Sequence, residues 1–110
     1  MADSGQNVSG SRSISVGLNE ALSVGGSRSV TIGRNDQLSV AADNVIRVGQ
    51  RLIIQAGDQI ELTVGRSSLV MKKDGTIVLT GKDIVINASG NVDIKASKNV
   101  DIKGSKIRGN

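Results

Sequence analysis

Asp93 and Asp101 stand eight residues apart, and each is followed two residues later by a lysine, Lys95 and Lys103. Carboxylates beside amines are the raw material of general acid–base chemistry, which needs such groups held together in a cleft with shifted proton affinities. The chain has no His and no Cys, so imidazole bases, thiolate nucleophiles and the usual zinc ligand sets are excluded. The Asp and Lys pairs recur with a repeat, Asn91-Val92-Asp93-Ile94-Lys95 and Asn99-Val100-Asp101-Ile102-Lys103. Recurrence on one face makes a solvated charge ladder, which confers solubility and discourages stray edge pairing, with each exposed pair worth ~0–1 kcal/mol. Other chemistries fail on spacing. Gly104-Ser105-Lys106 lacks the preceding glycine of a phosphate loop. A calcium-binding roll has a period of nine, and the period here is eight. No catalytic residue, metal ligand or cofactor is therefore expected, and the chain is read as a structural protein rather than an enzyme.

The octad runs through the whole chain. Stepping back by eight from Ile102 gives Ile94, Ile86, Val78, Val70, Leu62, Ile54, Ile46, Leu38, Val30, Leu22 and Ile14, all branched aliphatics. A repeat kept this clean dictates the fold. Two residues further on lies a second column: Val16, Val24, Ile32, Val40, Val48, Ala56 and Val64, then Lys72, Thr80, Ala88, Ala96 and Gly104. Two residues before lies a third, polar early (Arg12, Glu20, Arg28) and apolar late (Ile84, Val92, Val100). A spacing of two keeps side chains on one face of a strand. Each octad thus reads as a short strand with one buried face and a tight corner, beginning at Gly17, Gly25, Gly33, Gly49, Gly57, Gly65 and Gly81, and later at Ser89, Ser97 and Ser105. The absence of Pro fits strands that must donate ladder hydrogen bonds. One stretch, residues 66–82, is irregular and reads as a β-hairpin-like interruption or bulge in which both strand faces find cover, the plain alternative being a few exposed apolar residues. Lys72 falls on the inward parity, Leu69, Met71, Ile77 and Leu79 fall on the outward one, and Asp74-Gly75 signals a hairpin.

Of the 110 residues none is Phe, Tyr or Trp, so a core of large rings is not available. Yet 37% are apolar, too many for a disordered segment. No apolar run approaches the ~20 residues of a membrane-spanning helix, and none suits a signal-peptide core. The net charge of +4 is spread along the chain with no aromatic stacking platform, so nucleic acid is not an expected partner. A row of strands with one apolar face must close as a sandwich, a single-chain solenoid or an assembly of several chains. The inward residues are small enough for a narrow shared axis, and three chains would give every strand neighbours. Twelve rungs at ~4.8 Å would then span about 58 Å.

Octads such as Ile14-Ser15-Val16-Gly17, the block "SLVMKKDGTIVLTGKDIVI" and the run "NVDIKASKNVDIKG" resemble the C-terminal β-helical needle, or prism, of the valine–glycine repeat protein G (VgrG) and contractile-phage central tail-spike family. The resemblance covers about residues 8–108. It implies an all-β fold, an intertwined triple-stranded β-helix forming a triangular prism from three identical chains. It also implies a spike in the bacterial cytoplasm or a virion before firing, delivered outward into a target cell, with transient membrane contact and a conical proline-alanine-alanine-arginine (PAAR) repeat protein on its end. On that reading residues 1–10 are a polar lead-in, residues 11–108 the needle and residues 105–110 the tip. The twelve-residue column from Ile14 to Ile102 is the trimer core, and Ile107, Arg108, Gly109 and Asn110 form the docking platform. The family's hub and lysozyme domains are absent, so a fragment is expected. An iron-binding tip needs His and is excluded. The plain alternative for residues 105–110 is a frayed terminus. The rival functions are a non-piercing stalk of a fibre or adhesin and a monomeric surface-binding solenoid.

Overall fold

The computed structural model describes residues 5–109. The chain divides into two units, Met1–Ile46 and Arg47–Asn110. In the first unit the backbone bends at residues 9–10, 17–18, 25–26, 33–34 and 41–42, and the stretches between bends join no ladder within the chain. In the second unit bends fall at 49–50 and 57–58, then, after a small sheet, at 82–83, 89–90, 97–98 and 104–105. The corners read from Gly17, Gly25, Gly33, Gly49, Gly57, Ser89 and Ser97 coincide with bends. The one at 41–42 is built on Ala41-Ala42 and carries no glycine. Val16, Val24, Ile32, Val40 and Val48 are all 45–50% exposed. Equal exposure at equal phase means that the local backbone course repeats every eight residues.

Regular structure among the described residues is entirely β: β1 (Gln59–Val64), β2 (Ser67–Lys72) and β3 (Ile77–Thr80). They form an antiparallel sheet in the order β1-β2-β3. β1 alternates polar and apolar residues, the pattern of a pleated surface with two unlike faces, whereas β2 and β3 each hold three apolar residues in a row, Leu69-Val70-Met71 and Ile77-Val78-Leu79. β1 and β2 pair Val64 with Ser67, leaving Gly65-Arg66 as a two-residue loop. Gly65 has φ of 52° and no other residue type has positive φ, so positive then negative φ follow in turn, the signs of a type II′ hairpin. β2 and β3 are joined by Lys73-Asp74-Gly75, with Gly75 N–H donating to Lys72 O at 3.0 Å and Lys72 N–H to Thr76 O at 2.9 Å. Gly75 has φ of 93°, so the loop is a type I turn closed by a glycine bulge. Lys73 N–H donates to Asp58 O at 2.9 Å, extending the β1–β2 ladder by one residue.

This register corrects the expectation that the eight-residue column keeps to one face. Leu62 is opposite Leu69, and Leu69 is opposite Leu79. Directly paired residues of an antiparallel sheet share a face. One face therefore carries Ile60, Leu62, Val64, Leu69, Met71, Ile77 and Leu79. The other carries Val70 and Val78 among Gln59, Glu61, Thr63, Ser68, Lys72 and Thr80. The physical reason is the turn. Folding back through a two-residue loop pairs even positions of β1 with odd positions of β2, so Val70 and Val78 lie across the sheet plane from Leu62. Lys72 is thus unexceptional, because its parity belongs here to the polar face. On that face Glu61 accepts from Gln59 Nε2 at 3.4 Å and from Thr63 Oγ1 at 3.2 Å.

No side chain among the described residues is buried. In the column from Ile14 to Ile102, Val70 is half-buried and the other eleven residues are 40–76% exposed. The chain does not cover its own aliphatic columns.

Candidate functional site

At the C-terminal end the last bend lies at 104–105, one residue before the corner expected at Ser105. Beyond it Lys106, Ile107, Arg108 and Gly109 are exposed and join no ladder in this chain, with Ile107 67% open. Asn110, the last of the proposed docking residues, lies outside the described residues. A methyl group added at Gly104 would meet only the Lys106 backbone, at an ordinary 3.5 Å. Nothing in the local packing therefore demands glycine there.

Asp93, Lys95, Asp101 and Lys103 are all exposed. Among the described residues no group of three or more acidic side chains is placed to hold a metal ion. Charged side chains also gather where β1 begins and the β2–β3 loop closes, with Asp58, Gln59, Lys72, Lys73 and Asp74 lining an open recess. Asp74 has a local task in it. Its Oδ1 accepts the Thr76 backbone N–H at 3.0 Å, locking the three-residue loop. That bond to the Thr76 backbone, with the Thr76 hydroxyl second, holds the Asp74 carboxyl below its ordinary value. A carboxylate occupied in closing a turn is a structural acceptor, and the recess is wide and shallow.

The second recess is apolar. Leu62, Val64, Leu69 and Leu79 line a shallow depression on the apolar face of the sheet, with Ser67, Ser68 and Thr80 at its border. Sequence reasoning assigned Leu62 and Leu69 to opposite faces and so missed this surface. The signal that could have found it is Val64-Gly65-Arg66-Ser67, where glycine opens a two-residue loop between two strand-like stretches.

No protein-family model matches the chain. A stretch of it does have a known counterpart. Thirty-four residues are 53% identical to the type VI secretion system spike protein VgrG1b of Pseudomonas aeruginosa, a match that covers 31% of this chain and 5% of that protein. The chain thus spans about one-twentieth of the relative's length. The local likeness is to a type VI secretion spike, and the regular structure among the described residues is β throughout.

Proposed function

We propose that the chain is part of the shaft of a membrane-piercing spike in a contractile injection machine, of the type VI secretion or phage-tail kind. It works as a homotrimer, with no chemistry of its own, and carries a PAAR-type protein on its C-terminal end. The observation that carries this reading is the uncovered column. Ten of the twelve octad aliphatics, all but Val70 and Val78, are 58–76% exposed in the single chain, and from 9–10 to 57–58 bends recur every eight residues. Apolar surface on this scale is unfavourable in water and is relieved by burial against other chains. Three chains about one axis bury it while giving unpaired backbone groups a ladder partner. The local likeness to VgrG1b, named as a spike protein, supports the same direction.

In such a shaft Ile14 to Ile54 and Ile86 to Ile102 line the axis, and Asp93, Lys95, Asp101 and Lys103 face solvent. Force from a contracting sheath passes along continuous backbone ladders. Ile107, Arg108, Gly109 and Asn110 of three chains form the platform for the tip protein. The spike is held in the cytoplasm or virion and contacts a target membrane only when fired. The test is mass in solution, native and denatured. A native species of three 11.4 kDa chains that resists SDS until boiled is expected, and a monomer by light scattering overturns the reading.

A further inference from the structure

We infer that the sheet of β1, β2 and β3 is a self-association collar in which the face bearing Leu62, Leu69 and Leu79 meets the same face of the other copies of this chain, while Val70 and Val78 point outward. The inference rests on the shared shaft proposed above and specifies how its interior runs through residues 59–80.

Continuity makes the first case. Leu62 belongs both to the octad column and to the apolar face. If Ile54 and Leu62 line a shared interior, the observed register carries that interior onto Leu69 and Leu79, not onto Val70 and Val78. The contrast between faces makes the second. The face of Leu69 is wholly aliphatic apart from Met71 and Ser67. The opposite face sets one valine pair, Val70 and Val78, among Glu61, Ser68, Lys72 and Thr80, and its Gln59-Glu61-Thr63 row is already joined by hydrogen bonds. Only the first is suited to a dry contact.

Area and edges point to copies of the same chain. Seven aliphatic or thioether side chains, about half open, leave roughly 500 Å² of apolar surface, against ~800 Å² for one partner's share of a stable interface. The remainder is supplied by the octads on either side only if the occupant is another copy with its own octads in the same phase. The order β1-β2-β3 leaves the outer edges of β1 and β3 without ladder partners among the described residues, and such edges are templates for pairing with a neighbouring chain. The exit from the sheet restores the phase. The bend at 82–83 comes one residue later than the eight-residue beat from 65–66 places it, and the beat is regained at 89–90. The sheet is thus a paired inversion: the turn at Gly65-Arg66 moves the apolar residues to odd positions, and the delayed bend returns them to even ones at Ile84 and Ile86.

The chain has no cysteine, so single cysteines report the face directly. Full-length Leu69→Cys and Leu79→Cys are oxidised beside Val70→Cys and Val78→Cys and run on non-reducing gels. At least tenfold more interchain disulfide is expected for Leu69→Cys than for Val70→Cys. A trimeric mass with cross-linking through Val70→Cys, equal yields from both faces, or no cross-link at Leu69→Cys overturns the collar and leaves the shaft standing. A monomeric wild type overturns both. Lysine substitution guards against cysteine variants that fail to fold. Val78→Lys is expected to keep the native mass and Leu79→Lys to lose it, and the reverse result also overturns the collar.

Discussion

Leu62 faces Leu69 directly across the β1–β2 ladder, with Leu79 next in line on β3. The three leucines form one row across the sheet, at right angles to the chain direction, drawn from positions of both parities. In a purely octad chain Leu62 and Leu69 would point to opposite sides. Their meeting is produced by a single two-residue loop.

Gly65 makes that loop possible, and its substitution tests the row. At φ of 52° a Cβ meets the following carbonyl, a strain of ~1–2 kcal/mol for most residues and less for asparagine. Nothing lies within 4 Å of a Cβ at this position, so the effect is purely conformational. Gly65→Val is expected to lower the denaturation midpoint clearly and Gly65→Asn only slightly, as read by circular dichroism. Equal midpoints for the two would contradict the turn geometry.

Asp74 gives the second turn a dependence on pH. Its carboxyl is held below the ordinary value of 3.8 by the Thr76 backbone N–H and hydroxyl. A folded-state value lower than the unfolded one stabilises the turn in full above 3.8, and the stabilisation is lost as pH falls through the lower folded value. Side-chain NMR titration should place Asp74 below 3.8. Asp74→Asn should remove this part of the acid sensitivity. A titration midpoint at or above 3.8 contradicts the bond to Thr76.

Ile94 and Asp93 are neighbours with opposite expected roles. In the proposed shaft Ile94→Asp would set three charges near the axis, where an unpaired charge is strongly unfavourable, so any trimer of the wild type should be lost in light scattering. Asp93→Ala alters an exposed ladder and should change stability by less than ~1 kcal/mol. Intact assembly in Ile94→Asp would show that the column does not line a common interior.

Removing residues 105–110 separates shaft from tip. The truncated chain is expected to keep its native mass and SDS resistance and to lose capture of a PAAR-type protein. Undiminished capture, or no capture by the intact chain, would contradict the proposed docking at residues 105–110.

Some of this was legible in residue types. Gly17, Gly25, Gly33 and Gly49 announce corners because glycine is a favoured turn residue, and bends lie there, although none of the four has positive φ. Asp74-Gly75 announces the β2–β3 turn for the same reason, helped by the aspartate side chain. Ala41-Ala42 gives no such sign, and its bend is visible only as a beat inherited from its neighbours. Gly65 was legible as a corner but not as a reversal. Whether the chain continues or folds back after a glycine depends on which strand it finds to pair with, here Ser67–Lys72 against Gln59–Val64, and that is a non-local choice. The parity of Val70 and Val78 follows from that choice and is not contained in the octad spacing. For the tip, Ile107 and Arg108 identify a terminus with an apolar and a cationic group, but no residue type names what such an end grips.

The recurring bends from 9–10 to 57–58 make length a quantised property of this chain. Excising residues 18–25 splices one corner onto the next and leaves the side chains of the following octads of the first unit on their original side. Excising seven residues inverts them all. Indels that survive selection in this segment should come in multiples of eight, so the reach of the molecule is tuned in whole steps, like notches on a ratchet.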